Sequence, residues 1–138
     1  MATLTEIREA MAAALEGVVD GQISAWMLSN PTPPTIFIFP DEIDYDGSFG
    51  RGHDEWALTV MAMVGLASDI AAQQKLDEML APSGSSSVKD ALEPAPGAPA
   101  LGGVVQDIRV ETCTGYRVYA RPTSEAVLGA EWRVKVLE

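Results

Sequence analysis

Glu42, Asp44 and Asp46 followed by Gly47 match the first, third, fifth and sixth positions of a calcium-binding EF-hand loop. In such a loop alternate carboxylates converge on one hard cation, and the glycine permits the sharp bend between them. The twelfth position should be a glutamate that closes the shell with both oxygens, and here it is His53. Strand patterns also stand where the flanking helices should be. The segment therefore reads as an acidic, glycine-bent surface loop in which Asp41, Glu42, Asp44, Asp46, Asp54 and Glu55 face a single base, Arg51.

The remaining reactive side chains offer little chemistry. His53 is the only histidine, and a hydrolytic triad built on it would want a Gly-x-Ser-x-Gly elbow, which is absent. Neighbouring strand residues point to opposite faces, so Asp54 is badly placed to orient His53. One histidine and one cysteine fall short of a zinc ligand set. Cys113 lies between two threonines on the strand face that carries Arg109, Glu111 and Arg117, and reads as a small structural thiol. Asp44 and Asp46 have nothing beside them to raise one carboxyl into a glycosidase acid. Ser85, Ser86 and Ser87 read as a helix cap and linker, and Trp26, Trp56 and Trp132 as core anchors. No catalytic residue, metal ligand or cofactor site is assigned, and the chain is not expected to be an enzyme.

The elements that would position these groups follow from periodicity. Leu4, Ile7, Met11, Ala14, Leu15 and Val18 trace one stripe of a helix over residues 3–16, opened by a Thr3/Glu6 capping box. Residues 22–28 read as a strand, 35–39 as a short strand covered on both faces, and 40–52 as a loop. A longer strand, 53–64, puts Trp56, Leu58, Val60, Ala62 and Val64 on one face. A second helix follows Ser68 and Asp69, with Ile70, Leu76, Met79 and Leu80 buried, and a short third helix spans 88–93. Residues 94–103, rich in Pro and Gly, form an irregular connector. Strict alternation then marks two strands, 104–119 and 126–137. Their buried sides are Ile108, Val110, Tyr116 and Val118 in the first, and Leu128, Ala130, Trp132, Val134 and Val136 in the second. The order α-β-β-β-α-α-β-β predicts one α+β domain over 1–138: a mainly antiparallel sheet of about five strands with two or three helices on one face.

The 138-residue chain is 47% hydrophobic and 21% charged, a composition that folds around a core. One cysteine rules out an internal disulfide framework. The longest near-apolar run, 56–67, is too short to span a bilayer, and the N-terminus shows no secretory pattern, so synthesis in the cytoplasm is expected. Charge is uneven. Residues 1–103 carry 15 acids and four bases, a net −11, whereas 104–138 carry five of each. Such a surface repels nucleic acid phosphates.

Three stretches resemble the tail terminator proteins of long-tailed, siphovirus-type phages, especially those infecting actinobacteria. They are 43–55 (IDYDGSFGRGHDE), 67–84 (ASDIAAQQKLDEMLAPSG) running into 88–93 (VKDALE), and 128–136 (LGAEWRVKV). The resemblance covers nearly the whole chain and the order of its elements. It implies a small α+β subunit that assembles as a ring, usually a hexamer, on the end of the tail tube. That ring stops polymerisation of the tube protein, joins it to the head–tail connector protein, and lets DNA pass without specific binding. The implied location is the virion tail or neck, assembled in the host cytoplasm, with no cofactor and no membrane. Other head–tail connector, neck and tail-completion proteins share this size and pattern. From a different class, the residues also admit an acidic calcium- or ligand-binding module using 41–55. If six copies surround an axis, the repulsion among their 41–55 segments needs screening by water, whose Debye length is about 8 Å at physiological salt. That places the segment in the lumen or on the outer rim.

Overall fold

The computed structural model describes residues 3–18, 21–26, 34–44, 55–66, 70–93, 99–105, 107–119 and 126–137, with the backbone alone for Ile43, Asp44 and Leu66. The elements are α1 (Leu4–Leu15), β1 (Gln22–Ser24), β2 (Thr35–Asp44), β3 (Glu55–Leu66), α2 (Ile70–Leu80), α3 (Val88–Leu92), a 3₁₀ turn (Ala100–Gly103), β4 (Asp107–Tyr119) and β5 (Val127–Leu137). The strands form one sheet in the order β1-β2-β3-β5-β4. β1 runs parallel to β2, and every other pair is antiparallel. The fold is α+β, with the described helices on one face.

Local chemistry explains the helix starts. Thr3 Oγ1 accepts the Glu6 amide at 3.2 Å and Ser87 Oγ accepts the Asp90 amide at 3.1 Å, so each satisfies one orphan donor of its first turn. The expected caps of α2, Ser68 and Asp69, lie outside the described residues. Ile7, Met11 and Leu15 of α1, Leu76 and Met79 of α2, and Val88 and Leu92 of α3 are buried against the sheet. The sheet contributes Ile36, Ile38, Trp56, Leu58, Val60, Ala62, Trp132, Val134 and Val136 to the same core. On the opposite face Phe37, Met61, Met63 and Val127 form a second buried cluster flanked by Phe39 and Tyr119. β2 is thus buried on both sides, as its apolar run predicts.

Several expectations are corrected. β1 stops at Ser24 instead of 28, because Ser24 Oγ both accepts the Trp26 amide at 3.1 Å and donates to its carbonyl at 2.9 Å, turning the chain off the ladder. Residues 27 and 28 lie outside the described residues. Trp26 is exposed rather than a core anchor. Residues 40–44 are not loop: β2 continues to Asp44 across a bulge at Asp41, where Pro40 can donate no ladder hydrogen bond. β4 begins at Asp107, since 100–105 turn instead.

Ile70, Tyr116 and Val118 are exposed, not buried. Among the described residues α2 packs over β3 and β5, and α3 and the 3₁₀ turn against β4, where Ile108 and Val110 are buried but Tyr116 and Val118 are left exposed. Cys113 also changes face. β4 carries two register shifts, between Val110 and Thr112 and between Thr114 and Arg117. The first brings Cys113 opposite Trp132 on the helix side, and the second restores the original parity, with Gly115 supplying the φ of +69° this bulge uses.

Candidate functional site

The acidic segment enters the structure as sheet. Glu42 pairs with Ala57 and Asp44 with Glu55 across the β2–β3 ladder, while Ala57 pairs with Lys135 and Lys135 with Arg109 in the next two strands. One row of the helix-free face therefore reads Glu42, Ala57, Lys135, Arg109. The extra residue of the bulge, Asp41, turns its carboxylate across β3 towards β5. Arg133 meets it with Nη1 at 3.0 Å from Asp41 Oδ2 and holds Nη2 3.8 Å from Glu42 Oε2. Lys135 Nζ stands 4.0 Å from Glu55 Oε2. All these side chains keep much of their surface in water, so each pair contributes at most about 1 kcal/mol.

Of the six acids singled out in the sequence, Asp41, Glu42 and Glu55 are thus drawn together and partnered by bases. Asp44 is positioned by its backbone at the end of β2, and Asp46 and Asp54 lie outside the described residues, as do His53 and Arg51. The bases of β5 and Arg109 are what a reading of the 41–55 segment alone misses. Their alternation along the strand is visible in the sequence, but not that β5 lies beside β3.

Two shallow hollows flank Lys135. One, of about 160 Å³, is lined by Glu55, Asp107, Arg109, Lys135 and Leu137. The other, of about 110 Å³, is lined by Glu42, Glu55, Ala57, Arg133 and Lys135. Both are smaller than the roughly 300–1,000 Å³ clefts that enclose organic ligands. Among the described residues no group of three or more His, Cys, Asp or Glu side chains is placed to hold a metal ion. The first positions of the calcium-loop pattern, 42–44, are extended strand hydrogen-bonded to 55–57, whereas an EF-hand loop must wind around its ion. No family model matches this chain, and no curated protein matches it.

Cys113 lines a third hollow of about 120 Å³ with Leu80, Lys89, Val110, Glu111, Thr112 and Trp132. Burial, helped by the negative charge of Glu131, pushes its thiol up to about 11, which keeps it protonated and a poor nucleophile near neutrality. Burial likewise raises the Tyr119 phenol, aided by Glu131 and opposed by Arg117, and the Tyr119 hydroxyl donates to the Gly115 carbonyl at 2.6 Å. What the site offers is a charged surface on a hydrogen-bonded sheet.

Proposed function

We propose that this chain is a structural subunit of the tail terminator type, forming a ring that caps a phage tail tube, stops its polymerisation and joins it to the head connector. The observation that carries the reading is the state of the acidic segment. Its described part is strand in the β2–β3 ladder, opposed by Arg133 and Lys135, so the Asp41, Glu42 and Glu55 carboxylates meet water from the surface of a sheet. Such a surface suits contact with protein, and the net charge of −11 over residues 1–103 disfavours adhesion of DNA. The resemblance of 43–55, 67–84 with 88–93, and 128–136 to tail terminators supplies the specific assembly.

The bases of β5 alter one part of this reading. Pairing with them reduces the mutual repulsion of the segment, so an acidic lumen depends on residues beyond Asp41, Glu42 and Glu55. The lumen or rim position therefore stands as part of the proposal.

The test combines the purified chain with tail tube protein and images the products by electron microscopy. Rings on tube ends and shortened tubes are expected. Tubes of unchanged length without end rings overturn the terminator reading, and binding to the connector alone points to a neighbouring neck protein. Replacing Glu42, Asp44 and Asp46 by Lys then separates positions: normal tails with impaired DNA delivery support the lumen, failed rings an interface, and unaffected infectivity the outer rim.

A further inference from the structure

We infer that the Glu93 and Asp107 carboxylates close the β4 edge of the sheet, so that the chain neither accepts a foreign strand there nor joins a second copy edge to edge. The inference is independent of the ring proposed above. It adds one property to such a ring: its copies would not share a sheet across β4.

β4 is where protection is needed. It is an outer strand of the sheet and, at 13 residues, the longest. The free side of an edge strand offers unpaired amides and carbonyls on which another chain can extend the sheet. In an antiparallel pair every second residue turns its backbone groups away from the neighbouring strand. Ile108 and Val110 stand two apart on β4, opposite Val136 and Val134 of β5, and their amides are bonded to side chains. They are donors that an added strand would use.

Both donors are taken. The Val110 amide donates to Glu93 Oε2 at 3.1 Å, and the Ile108 amide to Asp107 Oδ1 at 2.9 Å. Glu93 reaches Val110 from the helix layer and is held in two further ways. Its own amide donates to the Lys89 carbonyl at 3.0 Å as the cap of α3, and Lys89 Nζ pairs with the same Oε2. A carboxylate placed here occupies the donor and also sets negative charge against the carbonyl oxygen that would replace it. Farther along, two register shifts interrupt the regular spacing of edge groups, and the Gly115 carbonyl in the second is taken by the Tyr119 hydroxyl at 2.6 Å.

The other side of the sheet follows the same logic with the opposite charge. β1 is three residues long and covers only residues 35–37 of β2. At the next position the Ile38 carbonyl accepts from Arg8 Nη2 at 2.8 Å, and two residues on Pro40 has no amide to offer. Side chains from α1 and from the end of α3 thus finish the sheet at its two sides.

Two double variants of equal net charge test the inference. Glu93→Ala/Asp107→Ala removes both acceptors, whereas Glu93→Gln/Asp107→Asn removes the same two charges and keeps an oxygen at each place. Each is checked for cooperative thermal unfolding, then followed by sedimentation velocity and amide hydrogen exchange over a concentration series. The alanine variant is expected to associate at roughly tenfold lower concentration than the wild type, the gain from two freed backbone donors. Its Ile108 and Val110 amides should exchange fast when dilute and become protected when concentrated. The Gln/Asn variant should match the wild type. A folded alanine variant that associates no more than the Gln/Asn variant overturns the inference, as does a wild-type oligomer that the alanine pair weakens. If the double alanine chain does not fold, Asp107→Ala alone, at the exposed first position of the strand, carries the same comparison with Asp107→Asn through Ile108.

Discussion

Arg133 reaches across β3 from β5 to bond Asp41 in the bulge of β2, joining residues 92 positions apart in the chain at 3.0 Å. Both side chains are about half exposed, which fixes the worth of the contact. Arg133→Ala should lower stability by less than about 1 kcal/mol in a denaturant titration, and less again at high salt. A loss of several kcal/mol would mean that the helix-free face is dry.

Trp132, one residue earlier on β5, points to the helix side and is 2% exposed. Trp132→Ala should cost on the order of 3–5 kcal/mol by leaving a cavity between the sheet and the helices. Comparable losses at 132 and 133 would contradict the register that separates them.

Gly129 sits in β5 between Met63 of β3 and Arg117 of β4. A Cβ there would run into the Ala62 carbonyl oxygen of β3 and lie 3.2 Å from the Tyr119 ring. Backbone cannot yield as a side-chain tip does, so Gly129→Ala should destabilise by about 1–3 kcal/mol despite adding one methyl group. Thermal unfolding of the variant measures it.

The Cys113 thiol, held near 11, should react slowly with a disulfide reagent at pH 7–8, and its rate should climb only as the pH approaches 11. The shift also has a stability consequence. The folded chain keeps this proton to higher pH than the unfolded one, so the contribution is complete below about 9 and is lost as pH rises towards 11. Labelling as fast as a free thiol would place Cys113 back on the wet face.

Calcium offers a further check on the 41–55 segment. With 42–44 in the β2–β3 ladder and His53 at the closing position, millimolar calcium should leave the melting temperature unchanged. A site held at a hundredfold saturation would instead add about 2.7 kcal/mol. Stabilisation abolished by Asp44→Asn would favour the ion-binding module.

The sequence by itself determined the elements and most of their inward faces. Ile7, Met11 and Leu15 recur at helical spacing, and Trp132, Val134 and Val136 alternate at strand spacing, because burial on one side of a regular backbone imposes its period on the side chains. Thr3 was legible as a cap, and Ser86 or Ser87 as the cap of α3, because a helix start needs a local acceptor; the structure selects Ser87. Only the tertiary structure decided what depends on neighbours distant in the chain. Period-two counting cannot see a bulge, so Cys113 changed sides unannounced. Nor can it see how far a helix layer extends, so Tyr116 and Val118 emerged uncovered although they keep the parity of buried residues. The candidate site was half legible for the same reason. Its acids lie in one stretch of sequence, but Arg133 and Lys135 join them only because β5 lies beside β3, and strand order is set by packing rather than by any local pattern.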